Sequence, residues 1–406
     1  MKLIRSNGEQ KFDYLIIGAG IIGLTIAREL HCRYPGERIG IIEKEEDVAQ
    51  HSSGRNSGVL HAGFYYTSDS LKAKFTVDGN RAMRAYCKDN QLAINECGKV
   101  VVAKNAAETD GLEILFNRGR QNGVELERVN LKELERIEPN AKSYNYALYS
   151  PSTATVDPLE IMRCLKNELV ASGVCLFLNE KYSKHIGPDA FLTESGRRYE
   201  SKKVINCAGL YADQIARDFG FSKSYTILPF KGIYLKYSKT DKPISVNIYP
   251  VPNLKNPFLG VHYTVTVDND IKIGPTAIPA FWRENYRGFS RFSPAEAVGI
   301  TAREAYLLLK NSFNFRALAY QEMKKYWKPA FAKMAIDLVH SIDVSEFTEW
   351  SRPGIRAQLL NIQTNELVQD FVIEGDENSI HILNAVSPAF TCSIPFAEYI
   401  VDNYVK

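Results

Sequence analysis

The chain has 406 residues, 45% of them hydrophobic and 24% charged, with a formal net charge of +3. That length buries a large core in two or three lobes, and the near-neutral balance gives no basis for nucleic acid as a partner. Seven scattered cysteines without a C-x-x-C pair argue against a disulfide framework or a zinc site, and for reduced thiols in a cytoplasmic protein.

The first eleven residues are polar and basic and read as a short leader. Tyr14-Leu15-Ile16-Ile17 then forms an apolar strand running into Gly18-Ala19-Gly20-Ile21-Ile22-Gly23 and a helix to about residue 34. A second strand over 38–42 ends at Glu43. Strand, G-x-G-x-x-G, helix, strand and acid in this order make a dinucleotide-binding βαβ unit. Gly18 permits the tight turn, Gly20 lets backbone approach a pyrophosphate, and Gly23 lets helix and strand pack closely. Glu43 can accept hydrogen bonds from a ribose.

Residues 44–66 are rich in Ser, Gly, His and Asn and read as a long functional loop. Helices are expected over 69–90, 107–122 and 130–137, with a strand over Gly98–Ala103. Asp157-Pro158 starts a helix running to about Ser172. Val174–Leu178 reads as a strand, and residues 191–192 and 198–200 as a hairpin. Lys203–Gly209 is a strand ending in glycine, followed by a helix from about Tyr211. Strand-like alternation covers 227–275, including Gly232–Tyr237, Phe258–Thr266 and Ile271–Gly274. Residues 294–340 are mainly helical. Strands Val368–Glu374 and Ile380–Asn384 precede a closing helix from about Ser387-Pro388. No segment has the apolar length of a membrane span. The pattern implies an α/β fold, with a nucleotide-binding Rossmann-like domain of discontinuous segments and an inserted antiparallel β-rich α+β substrate domain. The expected division is 12–95, 150–225 and 350–406 for the first and 96–149 and 226–349 for the second.

Three features favour FAD over NAD. Ser52-Ser53-Gly54-Arg55-Asn56-Ser57-Gly58 suits a loop held close to a pyrophosphate. Asn206-Cys207-Ala208-Gly209 returns a second glycine turn to the nucleotide. The turn Ser387-Pro388-Ala389-Phe390-Thr391 could point N–H groups at a flavin and stabilise its reduced form. The expected cofactor wall comprises Gly18, Ala19, Gly20, Ile22, Gly23, Glu43, Lys44, Ser52, Ser53, Asn56, Ser57, His61, Ala208, Gly209, Pro388, Ala389, Phe390 and Thr391.

Several segments carry a resemblance: Ser52 to Tyr66 with Ser70-Leu71-Lys72-Ala73, Lys231–Tyr234, Leu259–Thr264, Ile273–Ala277, Gly354–Gln358, Asp370–Ile373 and His381–Ala389. Through them, nearly the full chain resembles the FAD-dependent oxidoreductases related to D-amino-acid oxidase. Within these it is most similar to L-2-hydroxyglutarate oxidases and dehydrogenases. Thr276, Val386, Phe390 and Cys392 depart from that subgroup's pattern, close to the implied flavin and substrate. The resemblance implies oxidation of a 2-hydroxy acid by hydride transfer to flavin N5, with dioxygen or a quinone as electron acceptor.

Such a reaction needs a carboxylate holder and a proton acceptor. Arg356 suits the first role, since a guanidinium binds a carboxylate through two parallel hydrogen bonds. His61 could accept the hydroxyl proton, hydrogen-bond the flavin, tether it covalently, or be a core histidine. His262 is the other candidate base. Lys231 could attract a second carboxylate, and Tyr65, Tyr234 and Tyr263 could donate hydroxyls. No histidine pair has metal-ligand spacing. Lysines and aromatics alternate in Lys324–Met334, which suits either a solvated helix face or peripheral contact with the inner face of a membrane. Two other functions stay open at this point. One is an amine or amino-acid oxidase acting on a glycine-, sarcosine- or D-amino-acid-like substrate. The other is a flavin-holding module without turnover.

Overall fold

A computed structural model describes residues 10–252 and 260–405. Most of the expected leader and the Phe258–Leu259 start of one expected strand lie outside the described residues.

The chain opens with β1 (Gln10–Ile17), α1 (Ile21–Arg33) and β2 (Ile39–Ile42), followed by β3 (Val59–Leu60), α2 (Leu71–Asp89) and β4 (Ile94–Asn95). Then come β5 (Lys99–Val102), α3 (Ala106–Gln121), β6 (Glu127–Asn130), α4 (Leu131–Ile137), β7 (Tyr146–Ser150) and β8 (Ala154–Val156). Next are α5 (Pro158–Ala171), β9 (Cys175–Phe177), β10 (Tyr182–Gly187), β11 (Ala190–Thr193), β12 (Arg198–Asn206) and α6 (Ala212–Asp218). The run β13 (Tyr225–Gly232), β14 (Leu235–Tyr237), β15 (Asn247–Pro250), β16 (His262–Val265), β17 (Ile271–Gly274) and β18 (Ile278–Pro279) leads to α7 (Pro294–Lys310), α8 (Phe315–Met323) and α9 (Lys328–Ile336). The chain ends with β19 (Phe347–Trp350), β20 (Gly354–Asn361), β21 (Glu366–Leu367), β22 (Ile373–Gly375), β23 (Ser379–Ile382) and α10 (Ala389–Tyr404).

β1 lies at the heart of the first sheet, parallel to β2 on one side and β12 on the other. β9 extends it beyond β2, and β23 joins β12, both in parallel. Four-residue apolar runs such as Ile39–Ile42, buried throughout, are what a strand covered on both faces requires. Helices α1, α2, α5 and α10 cover the sheet, sharing a core that includes Leu24, Ile26, Met83, Leu165, Cys392 and Phe396.

The second large sheet runs β19-β14-β17-β16-β15-β5-β7-β6. It is antiparallel except where β15 meets β5. A four-stranded sheet, β18-β13-β20-β21, connects the two regions. Its central pair β13–β20 is in register from Tyr225↔Asn361 to Gly232↔Gly354.

The structure differs from the expectations at several elements. The expected Gly232–Tyr237 strand is two strands, β13 and β14, separated at Ile233-Tyr234, where the chain passes from one sheet to another. Strand character over Val368–Glu374 is confined to its end, because the Asp370 carboxylate caps α2 by accepting from the Leu71 and Lys72 amides. The hairpin and the Lys203 strand are joined, since β12 continues unbroken from Arg198 to Asn206. β20 was not anticipated; its residues mix polar and apolar types because one face meets a cavity.

Candidate active site

The glycine turn after β1 is shaped by backbone crowding. Gly18 has φ +102°, and a Cβ there would lie 2.8 Å from the Cys207 carbonyl oxygen. A Cβ on Gly23 would fall deep inside contact distance of the Gly18 carbonyl oxygen. Gly20, the N-cap of α1, has ordinary extended dihedrals and no side-chain cap. The N-terminus of α1, with the helix dipole behind it, is the kind of helix end that attracts an anion. Ser53 Oγ accepts from the Ile21 amide at 2.9 Å, tying the Ser-rich loop to this turn. Ser52 donates to the Ile355 carbonyl at 2.8 Å, and the Asn56 side chain donates to the Ser53 carbonyl at 2.8 Å. Glu43 accepts from the Ala19 amide at 2.9 Å and the Glu45 amide at 3.0 Å. A cradle of glycine backbone, helix N-terminus and hydroxyl loop fits a dinucleotide such as FAD.

A cleft of about 1460 Å³ runs from this cradle to the first turn of α10. Its wall includes Gly18, Ala19, Gly20, Ile22, Glu43, Lys44, Ser52, Ser53, Asn56, Ser57, His61, Ala208, Gly209 and Pro388 to Thr391, together with Tyr234 and Arg356. Segments more than 300 residues apart in sequence thus meet on one surface. Thr276 and Val386, two of the positions departing from the subgroup pattern, also line it.

His61, Tyr234 and Arg356 all line this cleft. His61 follows β3; its amide donates to Thr391 Oγ1 at 3.2 Å, which ties it to the first turn of α10. Burial first, and the Lys99 charge second, push the imidazole down to about 3, so it is neutral at physiological pH. Its Nδ1 is buried without a hydrogen-bond partner. Arg356 lies opposite Phe230 in the β13–β20 ladder. Burial lowers its pKa, while Tyr234, Glu322 and Tyr66 counter that. Tyr234 is pushed up to about 12 by burial and stays protonated as a donor.

Five expected residues lie off the wall. Gly23 packs inside the βαβ unit. Lys231 occupies the neighbouring register position, opposite Ile355, and its ammonium donates to Asn285 Oδ1 at 3.2 Å. Tyr65 and Tyr263 are buried in hydrophobic clusters. His262 stacks on Tyr249 with ring centroids 3.7 Å apart, and its Nδ1 donates to the Gly260 carbonyl at 3.1 Å.

Sequence reasoning missed a charged cluster at the nucleotide end. Arg291 and Lys44 bridge Glu45 and Glu284, and His51 links Glu45 to the Tyr286 hydroxyl. These residues come from 240 positions apart, so no spacing could reveal them. Burial opposes ionisation of Glu284, but the surrounding cations hold it down at about 2. Glu45, His51 and Glu284 offer ligand atoms within 4.8 Å of one another, yet Lys44 and Arg291 already neutralise those carboxylates. Lys72 was also missed. It is buried near Tyr66 and Arg356, and its pKa is lowered by burial to about 8.

The family model for FAD-dependent oxidoreductases, DAO, matches residues 13–403. The chain belongs to the DAO family. As a DAO-family enzyme it is an FAD-dependent oxidoreductase. A protein of Escherichia coli K12 called L-2-hydroxyglutarate dehydrogenase is 35% identical over 399 residues, covering 96% of this chain and 92% of that protein. The human mitochondrial L-2-hydroxyglutarate dehydrogenase is 35% identical over 420 residues, covering 98% and 89%. Among solved structures, FAD-bound L-α-glycerophosphate oxidase from Mycoplasma pneumoniae superposes with TM-score 0.73 at 22% identity, over 97% of this chain and 94% of that one. Glycine oxidase from Geobacillus kaustophilus does so with TM-score 0.70 at 18% identity, over 97% and 94%. At those identities the likeness concerns the fold.

Proposed function

We propose that the enzyme oxidises L-2-hydroxyglutarate, or a close 2-hydroxy diacid, to the 2-oxo acid. The observation that carries this reading is the end-to-end similarity to proteins named for that substrate. It is supported by a partly buried guanidinium, a neutral imidazole and a phenol that line one cleft. FAD, when bound, supplies the hydride acceptor. Arg356 holds the substrate carboxylate through paired charge-assisted hydrogen bonds. Tyr234 donates a hydrogen bond beside it. His61 takes the hydroxyl proton at Nε2, the ring nitrogen left for the cleft, since Nδ1 is the buried one.

The deciding experiment is anaerobic reduction of the purified flavoprotein by a panel of hydroxy acids and amino acids. Bleaching by L-2-hydroxyglutarate supports the proposal. Bleaching by glycine, sarcosine or a D-amino acid instead would make it an amine oxidase, and bleaching by none would leave a flavin-holding module. His61→Asn should retain FAD and slow reduction by roughly 10²–10⁴-fold.

A run of exposed apolar side chains favours a membrane quinone as electron acceptor over dioxygen. Phe289, Leu309, Val298, Trp327 and Tyr320 are 66–83% exposed, on and beside α7–α9, interleaved with Lys310, Lys324 and Lys328. No helix among the described residues is long and apolar enough to cross a membrane. Amphipathic cover of this kind suits peripheral attachment to anionic lipid. Co-sedimentation with anionic but not neutral vesicles, lost in Trp327→Glu, is the expected result.

A further inference from the structure

Tyr234 stands between β13 and β14, outside both strands, yet its backbone and its ring are both held. The Tyr234 amide donates to Ser351 Oγ at 3.1 Å, and the Ser351 amide donates to the Tyr234 carbonyl at 2.9 Å. The amide of Ile233, just before it, donates to Thr276 Oγ1 at 3.0 Å. Strand β17 meets the ring. Gly274 passes so close that a Cβ there would lie 2.5 Å from Tyr234 Cδ1. Two residues earlier on the same strand, Lys272 places its Nζ 5.0 Å from the centre of the Tyr234 ring.

The same ammonium donates to the Ser57 carbonyl at 3.0 Å. Tyr234 and Ser57 line the cleft and Lys272 does not, so the lysine supports the wall without forming it. The partners of its ammonium among the described residues are that carbonyl and that ring, with no carboxylate at ion-pair distance. Both nearby acids are engaged elsewhere. Asp270 pairs with Lys242 at 2.8 Å, and Asp157 caps α5 by accepting from the Leu159 amide at 2.8 Å. Lys236 of β14 adds a like charge. Burial lowers the Lys272 pKa to about 8, so the ammonium is still charged at neutral pH. A cation drawn from water without a carboxylate costs stability. What it gains here is one loop carbonyl and the face of one cleft tyrosine.

We propose that Lys272 is a positioning residue for Tyr234, fixing its ring so that the hydroxyl meets the substrate carboxylate and tying that ring to the Ser57 loop. Attraction to the ring face leaves the hydroxyl, at the ring edge, free for the cleft. Lys272 makes no contact with the substrate and acts only through the phenol. The inference rests on the reading of Tyr234 as a hydrogen-bond donor to the substrate, and adds what holds that donor in place.

The test is a double-mutant cycle on the FAD-loaded enzyme at neutral pH, with Lys272→Met, Tyr234→Phe and the double variant. Two readouts are taken: the Kd of 2-oxoglutarate by titration calorimetry, and KM and kcat for L-2-hydroxyglutarate. Lys272→Met should raise Kd and KM by about tenfold, with kcat within about threefold of native. Its flavin content should be native, because Ser52 and Asn56 still hold the loop. Tyr234→Phe should weaken binding at least as much. Adding Lys272→Met to it should change Kd by less than about twofold, since the two residues act as one unit. Lys272→Arg keeps a cation for the ring and should restore Kd to within about threefold of native. Additive losses in the double variant, native binding by Lys272→Met, or a Lys272→Arg as weak as Lys272→Met would overturn the proposal. If Lys272→Met does not hold flavin, Lys272→Gln, which can still donate to the Ser57 carbonyl, takes its place in the cycle. Native binding by Tyr234→Phe removes the reading of Tyr234 as donor, whereas a weak Tyr234→Phe beside a native Lys272→Met removes only Lys272. A native enzyme that L-2-hydroxyglutarate does not reduce fails the proposed function instead, and the cycle is then run with the acid that does reduce it and its oxidised product.

Discussion

Gly20 and Gly23 stand three residues apart in one motif, yet the structure assigns them different work, and a pair of substitutions separates it. A Cβ on Gly23 would press into the Gly18 carbonyl oxygen, with the Ile16 side chain 3.2 Å away on another side. The oxygen is backbone and cannot swing aside, so α1 must move off β1. Overpacking of that kind costs up to about 3 kcal/mol, and alanine's better helix propensity returns about 1 kcal/mol. Gly23→Ala should therefore lose about 2 kcal/mol of stability in the apoprotein. A Cβ on Gly20 meets only Ser53 Oγ at 3.3 Å, and the φ of −72° and ψ of 175° there suit any residue. Gly20→Val should leave apoprotein stability within about 1 kcal/mol of native, while filling the space through which the pyrophosphate approaches the helix amides. The assay is flavin absorbance per protein after desalting, with urea denaturation of flavin-stripped protein beside it. Expected are a colourless but stable Gly20→Val and a destabilised Gly23→Ala. A Gly20→Val protein that keeps stoichiometric FAD, or that unfolds as readily as Gly23→Ala, would refute the reasoning.

Other outcomes follow from the same geometry. Arg356→Lys keeps charge but loses the fork, so kcat/KM for L-2-hydroxyglutarate should fall by about 1.5–3 kcal/mol, with native flavin content; unchanged kinetics would place the substrate elsewhere. Asp213 is wholly buried and accepts from Arg283 at 2.8 and 3.0 Å and from the Ile227 amide at 3.2 Å. Asp213→Ala strands the Arg283 charge and should cost about 3–5 kcal/mol in urea denaturation. His61 and His381 are held down by burial to about 3 and about 4. The unfolded chain therefore binds protons below pH 6.5 that the native one does not, and stability drains as pH falls. Between pH 6.5 and 5 each histidine should cost about 2 kcal/mol, and His381→Asn should flatten that part of the melting-temperature profile.

Much of the fold was legible because its signals are local. The βαβ unit is written in consecutive residues: an apolar strand, a glycine turn in which Gly18 needs its positive φ and Gly23 its clearance, and a helix. The N-caps Ser70, Asn105 and Asp157 act on amides two or three residues away, so those helix starts appeared where expected. Most residues expected at the cofactor line one cleft in the structure, and their turns were legible for the same reason, as short junctions between elements. Which side chains face the cleft was not legible. Strands alternate every residue, so the register Phe230↔Arg356 turns Arg356 to the cavity wall and leaves Lys231, one residue along, on Asn285. That register depends on pairing two segments more than 120 residues apart. The Glu45–Arg291–Glu284 cluster, the Asp213–Arg283 pair and the Lys272–Ser57 bond likewise join distant segments. Their chemistry depends on burial, which belongs to the packed molecule and to no stretch of the chain alone.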